Sequence, residues 1–91
     1  GSSDAIASAA TITPPEGGEV FFITGTANIT AIAASRRGRR VTLCSAGSTA
    51  TIVDGGNLLL NGNANFVMTN RDTITLVCDG TNWLELCRAA N

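Results

Sequence analysis

The 91-residue chain contains no histidine, no lysine and no tyrosine, and it has only four aromatic residues. Without histidine it lacks the side chain that most often transfers protons near neutral pH and most often binds metals. Without lysine it can form no Schiff base and offers no phosphate-binding lysine of the Walker type. These absences argue against an enzyme, and we expect no catalytic residue, no metal site and no cofactor.

Charge and long apolar runs are also scarce. Charged residues make up 14% of the chain and the net charge is −1. No apolar run approaches the roughly 20 residues that a helix needs to span a bilayer. A dedicated nucleic-acid binder carries a strong positive charge, so we expect no nucleic-acid partner and no membrane insertion.

Short runs rich in valine, isoleucine, threonine and phenylalanine fill the chain after the break at Pro14–Gly18. They begin roughly every 8–12 residues and are separated by glycine, asparagine and aspartate, which is typical of all-β proteins. The pattern predicts an all-β fold of short antiparallel strands, in a small sandwich, barrel or β-prism-like module with almost no helix. The predicted strands are Glu19–Thr24, Asn28–Ala33, Arg40–Cys44, Thr49–Val53, Asn57–Leu60, Asn65–Met68, Thr73–Cys78 and Trp83–Arg88.

The break divides the chain into an N-terminal part and one module. We interpret residues 1–18 as a cloning remnant, Gly1–Ser3, followed by an arm or linker, and residues 19–91 as the module. A chain of this length buries only about 60–65% of its unfolded surface, so a single copy is marginally stable. Because three cysteines cannot all pair, we expect them to be small buried apolar residues in a reducing compartment. Oligomerisation is the remaining source of stability.

The last two predicted strands can be aligned as a hairpin. A three-residue loop, Asp79–Thr81, places Leu76 opposite Leu84 and Ile74 opposite Leu86, which gives the hairpin one fully apolar face. A four-residue loop would instead place a glutamate opposite Leu76. We therefore predict the three-residue loop.

Apolar residues on both faces of the same strand indicate that both faces are covered. Consecutive leucines at Leu58–Leu60 and the mixed second face of the hairpin have this property. For one small domain we expect the second cover to be another copy of itself. The candidate trimer or core packing residues are Leu58, Leu59, Leu60, Ile74, Leu76, Val77, Trp83, Leu84 and Leu86.

A basic turn around Gly38 is the one charge run, and it consists of Arg36, Arg37, Arg39 and Arg40. Arginine clusters bind phosphate, sulfate or acidic sugars. The same cluster also suits a solvated turn, or a contact with acids of a neighbouring copy. Trp83 is a second candidate for glycan contact, with a packing role as the alternative.

Four acids could in principle form a glycosidase pair. Asp54 and Asp79 stand directly before glycine, where aspartate caps turns with its own side chain. In the predicted hairpin Asp72 lies opposite Arg88, as an ion pair, and Glu85 is the remaining acid. These structural roles leave no indicated catalytic pair.

Several motifs together resemble a known family. The segments Gly25–Thr30, Gly38–Leu43 and Asp54–Leu60 and the closing block Asp72–Trp83 are similar to a recurring β module near the C-terminus of bacteriophage tail fibres and tailspikes. The resemblance covers about residues 19–88. It implies a homotrimer in the virion tail, assembled in the cytoplasm of the bacterial host, with enzymatic or receptor-binding activity often belonging to another domain.

We therefore predict a structural trimerisation and stabilising module of a phage tail fibre or tailspike, with its own copies as partners. The alternative is a carbohydrate-binding module that recognises host surface polysaccharide. In that case a host surface glycan is the partner.

Overall fold

A computed structural model describes residues 5–16, 18–47 and 49–90 of the chain, so the expected cloning remnant lies outside the described residues. The prediction of an all-β fold is confirmed, and each of the eight predicted runs overlaps a strand. A single turn of 3₁₀ helix occupies Asn61–Asn63. The strands are β1 (Ala5–Ala7), β2 (Thr11–Ile12), β3 (Val20–Thr24), β4 (Ala31–Ile32), β5 (Arg40–Ser45), β6 (Ala50–Ile52), β7 (Leu58–Leu59), β8 (Phe66–Met68), β9 (Thr73–Cys78) and β10 (Trp83–Ala89).

The strands pack as a two-layer sandwich. One layer is a six-stranded sheet in the order β1-β3-β5-β9-β10-β7. The other layer contains the pairs β2–β4 and β6–β8, which a bridge between Ile29 and Ile52 connects. Apolar side chains from both layers meet between them, which is how a sandwich forms its core.

Parallel pairing is more frequent than the sequence predicted. β1 runs parallel to β3, β3 to β5, β2 to β4 and β10 to β7, so the prediction of antiparallel strands is wrong for these pairs. For β1, β3 and β5, and for β2 and β4, the reason is that the chain alternates between the layers. Each of these strands is followed by one in the other layer, and the next strand of its own layer then runs in the same direction. The pairs β5–β9, β9–β10 and β6–β8 are antiparallel.

The segment expected to be an arm contributes β1 and β2, one strand to each layer. The backbone N–H of Ser8 donates to the carbonyl of Thr24 at 2.8 Å, and that of Ala33 donates to the carbonyl of Ile12 at 2.9 Å. Ile12 is buried and Ile6 packs against the core. Part of the range 1–18 therefore belongs to the sandwich.

The core follows from the period-two alternation of the strands, because every second side chain of a strand points to the same face. In β5 and β9 the inward residues are buried and the outward ones are half-buried or exposed. Burying each large side chain contributes about 1.5–3 kcal/mol. The largest fully buried side chains are Trp83, Phe21, Ile23, Ile29, Ile32, Leu43, Ile52, Leu58, Met68, Ile74, Leu76 and Val41.

The predicted register of the last hairpin is wrong. The loop has four residues, so Trp83 lies opposite Cys78, Leu84 opposite Val77, and Glu85 opposite Leu76. Asp79 determines this loop, because its carboxylate accepts hydrogen bonds from the backbone N–H groups of residues 81 and 82 at 2.9 and 2.7 Å. A buried carboxylate opposite a core leucine is tolerated because it is paired, as described below.

A β-bulge follows directly in β10. Pairing with β9 shifts between Glu85 and Cys87, and Cys87 then lies opposite Thr75. The extra residue is Leu86, and both Leu86 and Cys87 are exposed. The shift turns Arg88 back to the side of the strand on which Glu85 lies.

Candidate functional site

The outer face of the six-stranded sheet carries the side chains that the sandwich leaves uncovered. Four large apolar residues lie there with 50% (Val20), 37% (Phe22), 45% (Leu59) and 48% (Leu86) of their surface exposed. On the outer face of the other layer, Val67 is the exposed large apolar residue among those described. Contiguous apolar surface of this kind marks interaction sites. We call the outer side of the six-stranded sheet the apolar face.

Two patches form this face, at opposite edges of the sheet. On β1 and β3 the aromatic patch consists of Ala5, Ala7, Val20 and Phe22, and Ala5 lies beside Phe22. On β7 and β10 the leucine patch consists of Leu59, Leu84 and Leu86, and Leu84 lies beside Leu59.

The strip between the patches contains hydroxyl groups that bind each other. Thr42 on β5 lies opposite Thr75 on β9, and their hydroxyl oxygens are 3.0 Å apart. Arg40 at the start of β5 and Thr73 at the start of β9 also face outward in this strip. The strip therefore separates the two patches with mainly polar side chains.

The predicted packing residues fall into two groups. Leu58, Leu60, Ile74, Leu76 and Trp83 are buried inside the sandwich. Leu59, Val77, Leu84 and Leu86 lie on the apolar face, exposed or half-buried. In particular, Leu84 and Leu86 do not share a face with Ile74 and Leu76, because the register places Leu84 opposite Val77 on the outer side of the sheet.

Trp83 is a core residue. It has 0% of its surface exposed, and its indole N–H donates to the carbonyl of Ala33 at 3.2 Å. A sugar stacks on an exposed ring, so the assignment of Trp83 as a glycan contact is wrong. Its large ring instead fills the space between the layers.

The basic turn is divided between structure and solvent. Arg39 is 4% exposed, and its guanidinium donates to the carbonyls of Pro14, Pro15 and Gly18 and contacts the Glu16 carboxylate at 3.4 Å. Arg39 thereby anchors the break segment, and it also lines the cavity formed by the basic turn.

The remaining arginines of the turn, Arg36, Arg37 and Arg40, are exposed. Arg36 and Arg40 line an open cavity of about 190 Å³ together with Glu19. The pKa of Asp79 lies below its usual value, mainly because two backbone N–H groups of its loop donate hydrogen bonds to the carboxylate. Arg37 lies near enough to lower this pKa further. Each exposed arginine of the turn thus has an acid in its surroundings or in the same cavity, which weakens the attraction for an anionic ligand.

The candidate acids all have structural partners. Asp54 accepts from the backbone N–H of Leu60 at 2.9 Å, and Asp72 accepts from the backbone N–H and the hydroxyl of Thr69 at 2.9 and 2.8 Å. The predicted pair of Asp72 with Arg88 is wrong, because the register moves Arg88 to another partner.

That partner is Glu85, whose side chain has no exposed surface. The Glu85 carboxylate accepts from Arg88 at 2.7 and 2.8 Å and from the backbone N–H of Asn61 at 2.9 Å. The hydrogen bond from Arg88 holds the pKa of Glu85 below its usual value, although burial opposes the shift. The sequence indicated neither this pair nor the bulge on which it depends, because regular strand alternation places residues three apart on opposite faces.

The cysteines differ in exposure, and all three are free. Cys78 is buried as expected, and its thiol lies 3.3–3.4 Å from backbone groups of Ser35 and Gly80. Cys44 is half-buried and Cys87 is exposed on the apolar face, so the expectation of burial is wrong for Cys87.

Within residues 5–16, 18–47 and 49–90, no three cysteine or acidic side chains are grouped closely enough to hold a metal ion. Over the same residues, no helix has the length and apolar character needed to cross a bilayer.

Comparison with known families agrees with this architecture. The model of the phage depolymerase C-terminal beta sandwich domain matches residues 5–84. The chain belongs to this family. The resemblance to a C-terminal β module of phage tail proteins is thereby confirmed, and the chain is a structural module of the phage tail. A search of curated proteins gave no match.

The match to the depolymerase C-terminal domain includes β1 and β2, since it begins at residue 5. The two-layer arrangement described above is the sandwich in the family's description. Among the architectures left open by the sequence, it excludes the closed barrel for the single chain.

Proposed function

We propose that this depolymerase C-terminal domain is a trimerisation and stabilising module of a phage tail fibre or tailspike. Its partners are two further copies of the same chain, and it performs no catalysis itself. The mechanism is mutual burial, in which each copy covers apolar surface that its neighbour cannot cover alone.

The observation that carries the proposal is the apolar face. A sandwich with a closed core nevertheless leaves Val20, Phe22, Leu59 and Leu86 in contact with water. Covering the exposed half of such a side chain contributes about 1 kcal/mol. Association then becomes favourable once enough neighbouring surface is covered to offset the lost freedom of the copies.

The hydrogen bonds that the four acidic side chains accept within the protein support a module without catalysis. Asp54, Asp72, Asp79 and Glu85 each accept hydrogen bonds that hold a turn or a strand in place. A general acid or base needs a carboxyl group directed at a substrate. These four are directed at the protein's own backbone or at Arg88.

The cysteines support assembly in the reducing cytoplasm of the bacterial host. All three thiols are free, and Cys78 is bonded within the core as a thiol. Secreted domains of this size usually depend on disulfides instead.

The native mass tests the proposal. Light scattering or sedimentation at micromolar concentration is expected to give three times the 9.3 kDa of one chain. The same sample in denaturant provides the single-chain reference. A native mass equal to that of one chain would refute the trimerisation role.

A further inference from the structure

We infer that the two patches of the apolar face bind each other between copies, so that the aromatic patch of one copy packs on the leucine patch of the next. This inference rests on the proposed trimer and specifies its contact. It assigns Val20 and Phe22 on one side, and Leu59, Leu84 and Leu86 on the other, as residues that meet across each interface.

The first argument is the position of the patches. Val20 lies opposite Thr42, Thr42 opposite Thr75, and Thr75 opposite Cys87, next to Leu86 in the bulge. Three strand spacings therefore separate the two patches along this row, about 14 Å. The patches are too far apart to cover each other within one chain.

The second argument is symmetry. A cyclic trimer has heterologous interfaces, in which one surface of a copy contacts a different surface of the next. A face-to-face twofold dimer also brings two unlike patches together, once on each side of its axis. Within the proposed trimer, the patches at opposite edges of one sheet suit the heterologous contact of a closed ring, and a covalent dimer in the cross-linking test below would indicate the twofold arrangement instead. Three sheets then form the walls of a prism and meet at their edges.

The third argument is the distribution of charge. Among the described outward residues of the strands in this sheet, Arg40 is the charged one, and it is the first residue of β5. Glu19 lines the same cavity beside it, at the rim of the face. Copies of the face can therefore approach without burying like charges against each other, which would be costly.

The area of the face determines the size of each contact between copies. Six strands at their usual spacing, each about five residues long, present a flat area of about 500 Å². Each interface of a ring of three covers part of two such faces, about 500 Å² in all, which is below the roughly 1,200 Å² of a standard interface, so the three contacts stabilise the ring together and not singly. The outer face of the other layer has strands of two or three residues and a single exposed large apolar side chain among those described, Val67.

The native Cys87 allows a direct test by cross-linking. In the variant Val20→Cys, the new thiol lies about 14 Å from Cys87 of its own chain. A disulfide needs Cα atoms within about 7 Å, so the two cannot join within one chain. If the patches meet between copies, mild oxidation joins each chain to the next. A non-reducing gel is then expected to show a covalent trimer as the main species.

Two matched controls accompany this variant. Val67→Cys introduces the same change on the other layer, at a position of similar exposure, and is expected to give at least tenfold less covalent trimer. Val20→Cys combined with Cys87→Ser is expected to lose the covalent trimer. Val20, Val67 and Cys87 are all exposed. The native mass of each variant, measured before oxidation, verifies that it assembles as the wild type does.

The outcomes separate this inference from the proposed function. A wild-type chain that is trimeric by mass, with no covalent trimer in Val20→Cys, would overturn the patch contact and leave trimerisation intact. Cross-linking that persists without Cys87 would also overturn it, because a thiol outside the leucine patch would then be the one that contacts position 20 of the next copy. A wild-type chain of monomeric mass would refute the proposed function itself.

Discussion

The buried pair of Glu85 and Arg88 provides the sharpest test of how the sandwich is stabilised. We consider Arg88→Met, which keeps a long flexible side chain and removes the charge. Arg88 also donates to the carbonyls of Ala64 and Asn65, and its guanidinium carbon lies 4.7 Å from the centre of the Phe66 ring. The substitution therefore removes the partner of a buried carboxylate and detaches the segment before β8 from β10.

The expected cost follows from the burial of the two partners. Removing one partner of a buried ion pair costs about 3–5 kcal/mol, because the other charge is left uncompensated. The Glu85 side chain is 0% exposed but that of Arg88 is 27% exposed, which favours the lower end of that range. The contact with the Phe66 ring adds about 0.5–1 kcal/mol. We expect Arg88→Met to lower the free energy of unfolding by about 3–4 kcal/mol.

The assay is denaturant unfolding in a double-mutant cycle of Arg88→Met, Glu85→Gln and the combined variant. All chains are compared at one protomer concentration, because assembly contributes to apparent stability. The combined variant is expected to be less destabilised than the sum of the single variants, because it buries no unpaired charge. Arg36→Met, at an exposed position of the basic turn, serves as the control and should change stability by less than about 0.5 kcal/mol.

Two results would refute this reasoning. A cost below about 1 kcal/mol for Arg88→Met would mean that the pair behaves as a solvent-exposed one. Strict additivity of the single variants would mean that Glu85 and Arg88 do not interact in the folded protein.

Three further predictions concern pH, the tryptophan and the buried arginine of the basic turn. The pKa of Glu85 is lower in the folded chain than its usual 4.5, so the unfolded chain binds more protons and the free energy of unfolding falls as the pH drops below about 4.5. In acid denaturation Glu85→Gln should show a shallower fall of stability with pH, and an unchanged fall would contradict a lowered pKa of Glu85. Trp83→Phe should lower the free energy of unfolding by about 1–2 kcal/mol, because the hydrogen bond to the carbonyl of Ala33 is lost. The fluorescence of wild-type Trp83 should be blue-shifted and poorly quenched by acrylamide until the protein unfolds, and ready quenching of the native protein would show that the ring is not buried. Arg39→Lys should cost about 1–3 kcal/mol in thermal or denaturant unfolding, because an ammonium cannot reach all the carbonyls that the guanidinium binds, whereas Arg36→Lys should be neutral.

The strand positions could be predicted from the sequence because they depend on local alternation. Runs such as Arg40–Cys44 and Thr73–Cys78 carry large apolar residues at every second position, and this pattern is sufficient to identify a strand. β1 and β2 were missed because they have only three and two residues, which is too short for an alternating pattern to be recognised. Their extended conformation comes from neighbouring strands that are distant in the sequence.

Pairing direction and register could not be predicted from local pattern. A strand every 8–12 residues is equally compatible with hairpins and with a chain that alternates between layers. The sequence favours the wrong hairpin register because a glutamate opposite a core leucine is unfavourable unless its carboxylate is paired. Its partner, Arg88, lies on the same side only because a bulge inserts one residue between them, and a comparison of strand pairs without bulges excludes that arrangement.

The bulge at Leu86 affects the inside of the domain and its outside differently. With the extra residue Leu86 in place, Arg88 lies on the same side of the strand as Glu85, while Leu86 and Cys87 both lie on the apolar face. Deletion of Leu86 would remove the bulge and leave Arg88 opposite Ile74 in a regular ladder, so the ion pair would keep its register while the leucine patch lost one of its three residues. The length of this strand therefore matters more for the proposed surface between copies than for the internal ion pair, and we expect a one-residue deletion to weaken assembly more than it weakens the single chain.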